Sequence, residues 1–68
     1  MKAINVSVGF DEWKKVDGFV HDVEDEETFI YQIDEVQMVI VTEGECSMAY
    51  VKGKLEEVFD DPTIDGLR

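Results

Sequence analysis

Apolar and polar residues alternate most cleanly at the start of the chain. Ile4, Val6, Val8 and Phe10 are separated by Asn5, Ser7 and Gly9, the pattern of a strand with one wet face. Phe29–Thr42, FIYQIDEVQMVIVT, is the longest stretch of high β-propensity. Phe29, Tyr31 and Ile33 share a face, Asp34-Glu35 reads as a bend, and Val36, Met38 and Ile40 then oppose Gln37, Val39 and Val41. Apolar residues on both sides of Val36–Val41 predict an interior strand, or one whose outer face a second copy covers.

The remaining segments are read from shorter signals. Asp11–Lys15 fits a loop or a short 3₁₀ turn, and Asp17-Gly18 a turn. Phe19–Val23 then alternates as a strand that sets His21 among apolar neighbours, and Glu24–Glu27 reads as an exposed hairpin tip. Glu43-Gly44 and Lys52-Gly53 read as hairpin signals around a strand Glu45–Val51. Lys54–Phe59 fits either a helix or a strand. The expected fold is all-β or β-rich α+β: a five- to six-stranded antiparallel meander, or an SH3-like or Sm-like barrel, with at most one short helical turn. Trp13 is expected to plug one end of it. The expected organisation is a single domain over residues 1–60 and a flexible tail over 61–68.

Size and charge then narrow the function. Sixty-eight residues bury only about 60% of the surface exposed by the unfolded chain, so stability is expected to be modest. An apolar content of 44% still argues for a packed core. Cys46 is the sole cysteine, which leaves no internal disulfide. With no signal-like N-terminus and no apolar run long enough for a membrane span, the expected location is cytoplasmic. Seventeen Asp and Glu against six Lys and Arg give a net charge of −11. Such a surface repels phosphates and anionic membranes and favours basic protein surfaces. It also repels itself, so folding stability should rise with added salt.

Candidate chemistry is sparse. His21 and Cys46 each occur once, without the second ligands a zinc site needs. Asp61–Gly66 begins like a calcium loop but lacks the closing bidentate glutamate. Adjacent acids such as Asp60-Asp61 carry little information in so acidic a chain. The expectation is a non-enzymatic protein with no cofactor. The acids themselves are the candidate binding residues: Asp22, Glu24, Asp25, Glu26, Glu27, Glu56, Glu57, Asp60 and Asp61. Converging on one side, they would form a ridge spaced like nucleic-acid phosphates and occupy a basic, nucleic-acid-binding groove of a partner. Small acidic inhibitors made by phages and mobile elements work in this way, and the chain resembles them in size and charge alone. The alternative is a self-associating structural or adaptor module, a homodimer through Val36–Val41, in which the acidity is incidental.

Overall fold

The computed structural model describes residues 1–66. Its elements are β1 (Lys2–Ser7), a 3₁₀ turn (Phe10–Glu12), α1 (Trp13–Val23), β2 (Thr28–Gln32), β3 (Gln37–Thr42), α2 (Glu45–Val58) and β4 (Thr63–Gly66). The fold is therefore α+β, with four strands and two full helices, and the expected five- to six-stranded barrel is corrected.

The physical reason lies in two segments that carry helical spacing beneath a turn-like dipeptide. Val16, Phe19 and Val23 are the buried positions of α1, with Val20 half-buried beside them. That is the i, i+3, i+4, i+7 stripe of an amphipathic helix. Asp17-Gly18 interrupts it in sequence but sits on the solvent side of the helix. In α2 the stripe is Met48, Val51 and Leu55, and Lys52-Gly53 again lies on the outside. Both glycines remain helical because the packed face outweighs their unfavourable propensity of about 1 kcal/mol each. Glu43-Gly44 opens α2, with Gly44 at the N-cap, rather than turning a hairpin. Lys54–Val58 belongs to α2.

The four strands form one antiparallel sheet in the order β2-β3-β1-β4. With the helices after β1 and β3, this is the β-α-β-β-α-β, split-βαβ arrangement. Phe29–Thr42 forms the β2–β3 hairpin, bent at Asp34-Glu35, where the Asp34 carboxylate accepts the Val36 N–H at 2.9 Å. β3 is an interior strand between β2 and β1, as its two apolar sides require. β4, within the stretch expected to be a tail, pairs with β1 from Ser7↔Thr63 to Ile4↔Gly66. Residues 67–68 of that stretch lie outside the described residues.

The helices cover one face of the sheet. Ile4, Val6 and Val8 from the β1 segment and Met38 and Ile40 from β3 meet the two helical stripes and Phe59 in a single core. Phe19 and Phe59 pack edge to face, their ring centroids 5.4 Å apart. The opposite face of the sheet has no covering layer among the described residues.

Candidate functional site

Pairing register sets which side chains share the open face. Ala3, Val41 and Phe29 lie in one row across the strands, and Asp65, Asn5, Val39 and Tyr31 in the next. The apolar members gather toward β2, and the polar ones toward β4. Phe29 is 52% exposed and Tyr31 62%, and Ile33 continues their line beyond the end of β2. Val39 and Val41 are half-buried between them. A contiguous exposed apolar patch of this kind marks an interaction surface more often than a chance feature. Only part of Val36–Val41 reaches it, because Met38 and Ile40 point into the core.

The acids flank this face at two ends instead of forming one ridge. β1 and β2 run the same way, each antiparallel to β3, so α1 descends from the end of β1 to the start of β2. α2 then climbs from the end of β3 to the start of β4. Asp22, Glu24, Asp25, Glu26 and Glu27 therefore stand at one end of the molecule, where Ser47 Oγ donates to the Glu27 carboxylate at 2.7 Å. Glu43 and Glu45 lie at the same end, and an exposed Lys2–Glu45 pair at 3.4 Å neutralises one charge there. Glu56, Glu57, Asp60 and Asp61 stand at the other end, with Asp34 and Glu35. α2 alone, at 14 residues, separates the two ends by about 21 Å. All nine candidate acids are exposed. Asp61 has φ 50°, a left-handed turn that reverses the chain between α2 and β4.

Both acidic groups straddle the C-terminus of a helix, with Asp22 in α1 and Glu56 and Glu57 in α2. The helix dipole makes that position unfavourable for a negative charge by about 0.3–1 kcal/mol per residue. The last turn of α2 holds no basic residue of its own, and the cation that meets its end is Lys15 of α1, at the Val58 carbonyl. Acids placed only for solubility would be cheaper at the opposite helix ends.

One acid is structural. Glu12 is 6% exposed, and its carboxylate accepts the Asp60 N–H at 2.9 Å and the Lys15 ammonium at 3.3 Å. Lys15 also donates to the Val58 carbonyl at 3.3 Å, so the start of α1 is laced to the end of α2. The Asp60 N–H bond, helped by Lys15, holds the Glu12 pKa below its ordinary value. A lowered carboxylate pKa contributes stability at pH values above the unfolded-state pKa, and that contribution is lost as pH falls through the folded one. The melting-temperature gap between the wild type and Glu12→Gln is therefore expected to be widest near neutral pH and to shrink below about pH 4.5. A gap unchanged between neutral and acid pH in thermal melts would show that the charge of Glu12 is not what holds the two helix ends. Nothing in the pair Asp11-Glu12 distinguishes the buried acid from its exposed neighbour by sequence.

The remaining candidates are exposed. His21 lies on the last turn of α1 and Cys46 on the first turn of α2. His21 points to solvent, not among apolar neighbours, because the segment is helical. Trp13 is 48% exposed at the start of α1, with the Lys14 ammonium 5.6 Å from its ring centroid, and it plugs nothing. Two concavities flank α2. One, of about 350 Å³, is lined by Ile4, Met48 and Ala49 together with Lys2, Lys52 and Glu45. The other, about 370 Å³, lies beside Cys46, Ser47 and Tyr50. Among the described residues, no three of His, Cys, Asp or Glu are grouped to hold a metal ion, and no helix is long and apolar enough to cross a membrane. Comparison with protein-family models, with curated proteins and with solved structures finds no match.

Proposed function

We propose that the protein is a non-enzymatic interaction module that docks on a basic surface of a partner protein. The observation that supports this is the uncovered apolar sheet face around Phe29, Tyr31, Val39 and Val41, set between two acidic ends. The face supplies contact area, and the acids steer and select a partner rich in Lys and Arg. A surface of that chemistry commonly serves nucleic acid, so occupying it makes the protein an inhibitor of nucleic-acid binding. The helix-dipole cost of Glu56 and Glu57 favours this reading over acidity that only solubilises. A net charge of −11 opposes the docking of two copies, so self-association is the weaker reading.

The test separates binding from stability. Glu56→Lys with Glu57→Lys removes two unfavourable charges from the end of α2 and should raise stability by about 1 kcal/mol. The same pair should weaken capture of partner proteins from a native lysate, and Val39→Ser on the open face should weaken it too. Wild-type capture should be released by rising salt, since screening acts on exposed charges over about 10 Å at 0.1 M. Equal capture by all three proteins, or capture indifferent to salt, would overturn the proposal. A dimer of the wild type in sedimentation, broken by Val39→Ser, would favour self-association instead.

A further inference from the structure

β2 is an edge strand, and half of its main chain faces outward. The Ile33 N–H donates to the Gln37 carbonyl at 2.8 Å, and the Glu43 N–H to the Glu27 carbonyl at 3.0 Å, one at each end of the β2–β3 ladder. Antiparallel pairing alternates, so Phe29 and Tyr31 bond to β3 while Thr28, Ile30 and Gln32 turn their main-chain groups away from it. Thr28 closes a bridge with Asp25. The Ile30 N–H meets only the Glu24 carboxylate, at 3.5 Å. Among the described residues, the Ile30 carbonyl and both main-chain groups of Gln32 meet no protein partner.

Edges of this kind are ordinarily blunted by a lysine, a proline or a bulge. The β2 sequence Thr-Phe-Ile-Tyr-Gln has neither residue and no charge at all. Its charges stand just beyond it, Asp25-Glu26-Glu27 before and Asp34-Glu35 after. A second copy pairing antiparallel on this edge would bring the Asp25–Glu27 turn of each chain beside the Asp34-Glu35 bend of the other. Like charges gathered at both ends oppose that pairing, so this edge disfavours its own copy. The same arrangement fits a strand with basic residues at both ends. Phe29, Tyr31 and Ile33 line this margin of the open face and offer apolar contact to the side chains of an added strand.

We infer that the free edge of β2 takes an extended segment of the partner protein as a fifth strand, about five uncharged residues of high β-propensity bracketed by Lys or Arg. Glu24, which holds the Ile30 N–H in the free protein, yields it to the incoming carbonyl and turns to a basic side chain. This inference rests on the reading of the protein as an interaction module and names the chemistry of its partner.

The probe is a synthetic peptide of alternating valine and threonine with a Lys-Arg pair at each end, followed by amide hydrogen exchange. Exchange at Ile30 and Gln32 should slow about tenfold on saturation, while the same peptide with Glu-Asp ends leaves it unchanged. In Gln32→Pro the outward N–H is lost but the bonds to β3 are kept, as proline at a strand edge allows. That variant should fold and bind the basic peptide about tenfold more weakly. Absence of peptide binding, binding that leaves both amides unprotected, or protection of both amides by dimerisation without peptide would each overturn the inference. In the lysate capture, loss with Val39→Ser but full retention with Gln32→Pro would also overturn it, while leaving the interaction module standing. Equal capture by wild type, Val39→Ser and the Glu56→Lys, Glu57→Lys double variant would remove the module itself.

Discussion

Phe19→Ala is expected to remove about 3–5 kcal/mol, a large share of the protein's stability. Phe19 is 2% exposed, at the centre of the α1 stripe, and packs edge to face on Phe59 at the end of α2. Truncating a buried phenylalanine costs about 3–5 kcal/mol, since the cavity adds to the lost transfer energy. A domain of 68 residues holds only about 3–10 kcal/mol in total. The loss strikes both helices together, because the aromatic pair joins them where Glu12 and Lys15 also tie their ends. A urea titration followed by far-UV and near-UV circular dichroism measures it. Val20→Ala, half-buried one position along, should cost markedly less. If the two variants prove equally mild, Phe19 is not the residue on which the helices close.

Gly18→Ala combined with Gly53→Ala is expected to act in the opposite direction. Both glycines lie inside helices and are exposed, and an added Cβ meets nothing within 4 Å at either position. Neither has a positive φ. Alanine is better than glycine in a helix interior by about 0.8–1.0 kcal/mol. The sites sit on the outer surfaces of different helices, so their effects should add. In a domain this small each such gain raises the melting temperature by about 4–8 °C, and the pair by about 10 °C. A hairpin turn at either dipeptide would place glycine where alanine is strained, and the substitution would destabilise. The sign of the change in a thermal melt therefore decides between helix and turn at both positions.

Those two glycines also mark where sequence and structure part. Val16, Phe19, Val20 and Val23 have the spacing of a helix, but Phe19, His21 and Val23 also alternate as a strand would, and Asp17-Gly18 favours a turn at the start. Helix packing overrides the local preference, because burying the whole stripe is worth more than one glycine costs. In α2 the exposed Cys46 and Tyr50 blur the apolar stripe, so Glu45–Val51 imitates an alternating strand. Ile4–Val8 and Phe29–Thr42 are legible because alternation there agrees with how the sheet is buried. β4 has one partly buried apolar side chain, Ile64, and no signal of its own, since its order comes from pairing with β1. For the candidate site, the acids are visible in the sequence, but their arrangement depends on helix direction. The opposite courses of α1 and α2 divide one expected ridge into two ends. The exposed margin of Phe29, Tyr31 and Ile33 is visible as one strand face, but its openness depends on both helices choosing the other side.

The central position of β1 has a consequence for how the chain reaches its fold. The hairpin of β2 and β3 is local and can close within microseconds of collapse. β1 finds its neighbours only far along the chain, in β3 and then in β4, with Ser7 opposite Thr63. Such distant pairings carry a large loop-closure entropy, so the hairpin waits on the slowest contacts in the molecule. During that wait the strand destined for the interior has one side unpaired, with Met38 and Ile40 uncovered. The many carboxylates then protect the folding chain as well, because strongly like-charged intermediates keep apart while β1 is still finding its place.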